Sequence, residues 1–203
     1  MNESSPIYLD YHATTPVDPR VAAQNGSQGV GALVLKKGYP LKPICYGGGH
    51  QNGMRPGTLN VPGIVGLGEA CRLRRLEMAE DEENIRKLRD KMHGLLLDKM
   101  AGLFINGDIE HRLAGNLHVS IPDIPNSATI ARIRARVAIS TGAACSSGIE
   151  TPSHVLRALG LPASVMAGAL RIGLGKFTTA SDVDRAADIL AIAARQTREV
   201  MAL

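Results

Sequence analysis

Glycine is the residue whose distribution most constrains the fold of this chain. Twelve of the 22 glycines fall between Gly26 and Gly68, although this stretch makes up only about a fifth of the 203 residues. Glycine adopts backbone conformations that other residues avoid, and it weakens the interior of helices and strands. The stretch is therefore predicted to be mostly loop, with one strand at residues 30–35.

A long helix is predicted to begin at Pro62, where the pattern changes. Apolar residues recur there at steps of three, four and five, and they continue as far as Met100. Cys71 lies on this apolar face and is expected to belong to the core. The acidic segment 77–83 is expected to mark a kink or an exposed turn.

Strands and helices alternate after this helix. The apolar patterns predict strands at 103–105, 116–121, 137–139 and 169–174, and helices at 128–136 and 153–159. The last helix opens with Thr179-x-x-Asp182, a variant of the capping box, and has Val183, Ala187, Leu190 and Ala194 on one face. An α/β fold class is predicted, with one domain over residues 1–60 and a second, small α/β domain over 61–203 that contains the long helix.

Composition excludes several classes of function. Four Tyr, two Phe and no Trp offer few platforms for stacking bases, and a net charge of +4 is too small to predict direct nucleic-acid binding. No run of 18 apolar residues predicts a membrane span, and the N-terminal residues do not resemble a signal peptide. Three cysteines without a C-x-x-C spacing predict neither a disulfide framework nor a structural zinc site. A cytoplasmic location is expected.

Cys145 is the strongest candidate for a reactive residue. It lies in the segment STGAACSSG, residues 140–148, where small residues surround a single thiol. Structural cysteines usually lie among apolar side chains, whereas a permissive loop suits a mobile nucleophile. A structural role stays open on composition alone.

Three other features can contribute to a site. The segment GGGHQNGMRPGT, residues 47–58, combines glycines with Arg and Thr, a set that can hold a phosphate or simply form a surface loop. Arg171 lies in an otherwise apolar strand and needs a carboxylate partner from the protein or from a ligand. His12 is either an acid–base group or a structural histidine, and Cys45 with His50 offers too few ligands for a metal.

Six ordered motifs, which cover most of the chain, resemble cysteine desulfurases of the NifS/IscS type. These enzymes are class V aminotransferase-like proteins that use pyridoxal phosphate. The resemblance implies the small C-terminal domain of that fold type I architecture, together with an N-terminal strap and a remnant of the large domain. The matching segments are 7–16, 29–33, 47–58, 140–147, 152–160 and 170–175.

The resemblance also implies roles for individual residues. Members of this family remove sulfur from L-cysteine, leaving L-alanine and a protein-bound persulfide that is passed to iron–sulfur scaffolds or other acceptor proteins. Cys145 matches the residue that forms the persulfide, and it could hold a transient iron–sulfur cluster during transfer, the chain having no metal site of its own. Arg171 matches the arginine that binds the substrate carboxylate. Thr58 matches the threonine that reaches the cofactor phosphate of the other subunit in a homodimer.

One departure from the family pattern bears on activity. The chain passes from Arg20 to Gly26 within a few residues, where the family has most of its large cofactor-binding domain. Ala23 takes the place of the lysine that binds the cofactor, and the first lysine in the chain is Lys36. The chain alone is therefore expected to be inactive as a desulfurase. Two alternatives stay open: a non-catalytic sulfur acceptor or partner-binding module, and a lyase of the same fold acting on selenocysteine.

Overall fold

A computed structural model describes residues 6–12, 15, 17–22, 29–141 and 153–201. The chain divides into two compact units, one made of Met1–Thr15 with Ala79–Leu203 and the other of Pro16–Met78. The domain boundary between residues 60 and 61 stays a prediction.

The unit Pro16–Met78 contains little regular structure before its long helix. Before that helix, its described residues form the short helix α1 (Pro19–Ala22) and one 3₁₀ turn (His50–Gly53). Arg20 pairs with Asp18 and with Glu77, each at 2.6 Å, which ties α1 to the long helix within this unit.

The prediction of a strand at residues 30–35 is wrong. The segment has no regular secondary structure, and Leu33 and Val34 are 73% and 93% exposed. A strand is stable only when neighbouring strands accept and donate its backbone hydrogen bonds. Within the described part of this unit no second strand is present to do so.

Helix α2 (Val61–Lys99) confirms the predicted long helix, and it continues without interruption through the acidic segment 77–83. The side-chain oxygen of Asn60 accepts a hydrogen bond from the Gly63 amide at 3.1 Å, which caps the first turn. The prediction that Cys71 belongs to the core is wrong, because its side chain is exposed. Gly63, Gly66 and Leu73 form the buried side of this half of the helix, and Cys71 points away from them.

The described residues of the other unit form five strands. The strands predicted at 103–105, 116–121, 137–139 and 169–174 are confirmed within one or two residues. One pair is parallel, β1 (Ile7–Tyr8) with β4 (Val137–Ala138). The other three are antiparallel in the order β2 (Phe104–Ile105), β3 (Asn116–Ser120) and β5 (Ala169–Gly173).

Strand β5 joins the two sheets. Isolated bridges connect Asp10, which follows β1, to Gly173, and Ser140, which follows β4, to Arg171. Both bridges lie on the edge of β5 that does not face β3. The residues that directly follow the two parallel strands therefore complete the backbone hydrogen bonding of β5.

Helices cover one face of the antiparallel sheet. The helices whose residues join the core on this face are α3 (Asn126–Ile133), α6 (Ala180–Met201) and the second half of α2. The short helices α4 (His154–Ala158) and α5 (Ala163–Ala167) precede β5 in the chain. The α/β class is confirmed. The capping box of α6 is confirmed too: the Asp182 amide donates to the Thr179 hydroxyl and the Thr179 amide donates to the Asp182 carboxylate.

The core forms between these helices and one face of the sheet. The four residues predicted for the inner face of α6 are all no more than 1% exposed. They pack in one cluster with Met92 and Leu96 of α2 and with the apolar residues of β3 and β5. The sheet residues in this cluster include Leu117, Val119, Leu170 and Ile172.

No helix among the described residues has the length and apolar character needed to cross a membrane.

Gly168 is predicted to be intolerant of a side chain. A Cβ at this position would collide with the carbonyl group of Ile121, whose carbon would lie 2.7 Å away. We expect Gly168→Ala to lower the free energy of unfolding by about 2 kcal/mol or more, because β3 would have to move. Urea unfolding followed by circular dichroism measures this.

Gly94 provides the matched control, since it lies exposed in α2 and a Cβ there would meet nothing within 4 Å. Gly94→Ala should raise stability by up to about 1 kcal/mol, because alanine favours helix over glycine. Equal effects of the two substitutions would contradict the packing described for Gly168.

Candidate functional site

The polar face of the antiparallel sheet is the strongest candidate for a functional site. Side chains alternate between the two faces of a strand, so Leu117 and Val119 enter the core while Asn116 and His118 lie on the opposite face. Arg171 of β5 is paired with His118 of β3. Directly opposite residues of antiparallel strands share a face. The sheet therefore brings an arginine and a histidine together outside the core.

Arg171 has a carboxylate partner, as the sequence predicts, and this partner is Asp10. Its Nη2 donates to Oδ1 of Asp10 at 3.2 Å, across 161 positions of the chain. The Arg171 and Asp10 side chains are 24% and 17% exposed. The Nε of Arg171 is buried and has no hydrogen-bond partner among the described residues. One carboxylate oxygen thus satisfies only part of this guanidinium.

Backbone hydrogen bonds hold Asp10 in place. The Gly173 amide donates to the Leu9 carbonyl at 2.8 Å, and the Tyr11 amide donates to the Gly173 carbonyl at 3.2 Å. Asp10 lies between these two bonds, so its carboxylate is presented to Arg171 by a fixed backbone.

Ser140 connects Arg171 to the segment that contains Cys145. The Arg171 amide donates to the Ser140 carbonyl at 2.7 Å, and the Ser140 amide donates to the Arg171 carbonyl at 3.2 Å. Ser140 lies five positions before Cys145 in the sequence. Cys145 itself lies outside the described residues, as does Ala23, and the role predicted for Cys145 stays a prediction.

The glycines after Arg171 make room for the N-terminal segment. A Cβ on Gly173 would lie 2.7 Å from the His12 ring, and a Cβ on Gly175 would overlap the ring of Tyr11. Burial raises the pKa of Tyr11, whose hydroxyl also makes a side-chain hydrogen bond with Thr178. The glycines of the motif RIGLG are therefore explained by the close approach of the Tyr11 and His12 rings.

His12 is held against β3. Its Nε2 lies 3.3 Å from the side-chain amide nitrogen, Nδ2, of Asn116, and its ring is also hydrogen-bonded to the backbone of Gly115. Burial lowers the pKa of His12, and the nearby charge of Arg171 lowers it further. The acid–base role considered for His12 stays a prediction.

His118 is a residue that the sequence did not single out. The side-chain amide of Asn106 donates to its Nδ1 at 2.8 Å and to the hydroxyl of Ser120 at 2.8 Å. Burial, followed by the charges of Arg171 and Arg112, lowers the pKa of His118 to about 4. The sequence signal that could have identified His118 is its place between the apolar residues Leu117 and Val119 of a strand. That signal points to a site only once the structure shows that His118 is paired with Arg171.

Thr58 and the glycine-rich segment belong to the unit Pro16–Met78. Thr58 and Arg55 are exposed, and Gln51 and Asn52 have positive φ values of 51° and 58°. The cofactor-phosphate role of Thr58 stays a prediction. Among the described residues no group of three or more His, Cys, Asp or Glu side chains could hold a metal ion.

The lysines of this chain do not fit a Schiff-base cofactor such as pyridoxal phosphate. All seven lie in the described part of the chain, and none lies on the polar face of the sheet. Lys36, Lys37 and Lys42 are exposed. The other four pair with surface carboxylates and keep at least 31% of the side chain exposed; they are Lys87, Lys91, Lys99 and Lys176.

The pKa of His118 predicts a pH dependence of stability. The folded chain holds this histidine neutral down to about pH 4, whereas its ordinary pKa is 6.5. The unfolded state therefore binds an extra proton as the pH falls from 6.5 towards 4, and stability decreases across that window. We expect His118→Asn to remove this part of the loss, measured as the difference in unfolding free energy between pH 7 and pH 4.5. The exposed His50, changed to Asn, serves as the control, and identical pH slopes for the three proteins would contradict the assignment.

Comparison with known proteins identifies the relatives of this chain. Residues 24–186 match the class V aminotransferase family. The cysteine desulfurase IscS of Anaeromyxobacter sp. (strain Fw109-5) is 41% identical over 180 residues, which cover 88% of this chain and 44% of that protein. The IscS of Mannheimia succiniciproducens is 38% identical over 180 residues, which likewise cover 88% of this chain and 44% of that protein. The chain spans less than half the length of these curated relatives.

Comparison with solved structures also finds NifS-like proteins. A NifS-like protein has a TM-score of 0.68 at 32% identity, covering 78% of this chain and 40% of that structure. A NifS-like protein from Rickettsia africae ESF-5 has a TM-score of 0.63 at 28% identity, covering 76% and 39%. With a family match that extends from residue 24 to residue 186 and a fold shared with NifS-like proteins, the chain belongs to the class V aminotransferase family.

Proposed function

We propose that this chain is the sulfur-carrying part of a cysteine desulfurase system, in which Arg171 binds the carboxylate of L-cysteine and Cys145 carries the sulfur. The observation that supports this most directly is the backbone pairing of Arg171 with Ser140. The pairing ties the carboxylate-binding strand to the start of the segment that contains the thiol. The similarity to IscS proteins supports the reaction class.

Arg171 suits a ligand carboxylate for a physical reason. Its planar guanidinium has five N–H donors, and Asp10 accepts from only one nitrogen. The buried Nε has no partner among the described residues, and an unpaired buried donor costs free energy until an acceptor reaches it. A ligand carboxylate would supply two oxygens, which match the fork of the guanidinium.

The chain alone is proposed not to release sulfur from cysteine. In this family the lysine and the pyridoxal phosphate that it holds supply the electron sink for that step, and Ala23 occupies the position of this lysine here. The role left to the chain is transfer. The Cys145 thiolate would attack the outer sulfur of a persulfide on a complete desulfurase, forming a new S–S bond. The donor's S–S bond would break, and its cysteine would leave as a thiolate.

The same chemistry defines the proposed partners and location. A complete desulfurase would supply the sulfur, and an iron–sulfur scaffold or another acceptor protein would receive it in the cytoplasm. Thr58 would contribute to the cofactor site of a second subunit in a homodimer or mixed dimer.

Inactivity of the isolated chain is directly testable. We expect no L-alanine when the purified chain is mixed with pyridoxal phosphate, L-cysteine and a reducing agent, because no lysine is placed to hold the cofactor. Chromatographic measurement of alanine, with a complete IscS protein as the positive control, decides the matter. Alanine formation at a rate comparable to that control would overturn this part of the proposal.

Sulfur transfer can be tested with a complete IscS protein and L-cysteine. Intact-mass spectrometry should show the chain gaining one sulfur atom, and peptide mapping should place it on Cys145. Cys145→Ser should abolish the gain. Cys71→Ser and Cys45→Ser are matched controls, since both thiols are exposed, and each should keep it. Sulfur that remains on the Cys145→Ser protein would show that an exposed thiol reacts non-specifically.

A further inference from the structure

We propose that His118 is the second hydrogen-bond donor of the carboxylate site, so that a ligand carboxylate is held between the imidazole of β3 and the guanidinium of β5. This inference rests on the proposed function, in which Arg171 binds a carboxylate, and adds a binding residue to that site. The proposed ligands are small amino acids, which bind through their carboxylate group.

The first support is the position of the two residues. His118 and Arg171 are directly opposite each other in the β3–β5 register. The Cβ atoms of such a pair lie about 4.5–5.5 Å apart. Both residues are intermediate in exposure, so a small ligand can reach them from the polar side of the sheet. Because a carboxylate has two oxygens, one ligand can accept a hydrogen bond from each of the two strands.

The second support is the hydrogen bonding of the imidazole. Asn106 follows β2, on the side of β3 away from Arg171, and its amide nitrogen donates to Nδ1 of His118. A neutral imidazole that accepts at Nδ1 carries its proton on Nε2. Among the described residues this Nε2–H has no hydrogen-bond partner. The ring therefore presents one donor that the fold does not use.

The third support is the charge of the surroundings. Arg171 is already paired with Asp10, so the net charge of the pair is close to zero. A carboxylate that approaches the site is attracted over a distance by Arg112, the other cation that acts on His118, and it binds to the Arg171–Asp10 pair itself through directed hydrogen bonds. Burial keeps His118 neutral at physiological pH, and a neutral N–H donates without adding a charge beside Arg171.

His12, the other histidine near Arg171, is less suitable. Its ring lies against Gly173 and is hydrogen-bonded to Asn116 and to the backbone of Gly115. These contacts hold His12 as packing for the N-terminal segment. Of the two histidines, His118 is therefore the one that can add a donor to the buried Nε of Arg171.

The proposal is tested by titrating the full chain with L-alanine, an amino acid that does not react with thiols, and following binding by NMR. We expect His118→Leu to weaken L-alanine binding about tenfold, the effect of losing one hydrogen bond to a charged group. His118→Gln keeps an N–H donor and should recover most of the affinity. His50→Leu, at an exposed position in the other unit, should leave affinity unchanged.

Nitrogen NMR of the His118 ring gives an independent readout. In the unliganded chain the proton should be on Nε2, and the Nε2–H signal should shift with L-alanine but not with ethylamine, which lacks the carboxylate. A proton on Nδ1, or equal affinity of His118→Leu and the unchanged chain, would overturn the proposal.

Two further outcomes separate this inference from the proposed function. If Arg171→Lys abolishes binding while His118→Leu does not weaken it, Arg171 stands as the carboxylate site and the role of His118 is rejected. If the unchanged chain does not bind L-alanine, both are rejected. Thermal melting of each variant establishes that it is folded, and His118→Gln provides the comparison if His118→Leu unfolds.

Discussion

The hydrogen bonding along the outer edge of β5 is the constraint on which the candidate site depends. Strand β5 pairs with β3 on one side, and on the other side with two segments that are far apart in the chain. Ser140 occupies the first part of that edge, and residues 9–11 occupy the next part. Buried backbone groups need partners, so these segments cannot separate from β5 without a cost in free energy. The edge thereby fixes the carboxylate of Asp10 and the start of the Cys145 segment relative to Arg171.

The alternation of side chains on β3 and β5 lets the same strands form both the core and the site. Leu117, Ile172 and their apolar neighbours pack against α2 and α6, while His118 and Arg171 project to the other face. Burial of the apolar face makes the register strict, because a slip by one residue would exchange the two faces. The pairing of His118 with Arg171 is thus a consequence of core packing, although neither side chain belongs to the core.

Prediction from the sequence succeeded where a pattern was long or local. The periodicity of α2, the capping box of α6 and the alternation in β3 are properties of neighbouring residues, and the structure confirms them. It failed where the outcome depended on absent or distant neighbours. The segment at residues 30–35 has apolar residues but no partner strand among the described residues of its unit. Cys71 has helical spacing but lies away from the side of the helix on which Gly63 and Leu73 are buried.

The sequence by itself determined the fold class, the family motifs and the chemical types of the site residues. It showed that Arg171 must meet a carboxylate, because an arginine in an apolar strand cannot remain unpaired. Only the tertiary structure decided that this carboxylate belongs to Asp10, 161 positions away, and that His118 faces the same guanidinium. The physical reason is that strand pairing joins residues by register and not by distance along the chain. A single sequence states which residues alternate along a strand, and the fold decides which strand lies beside it.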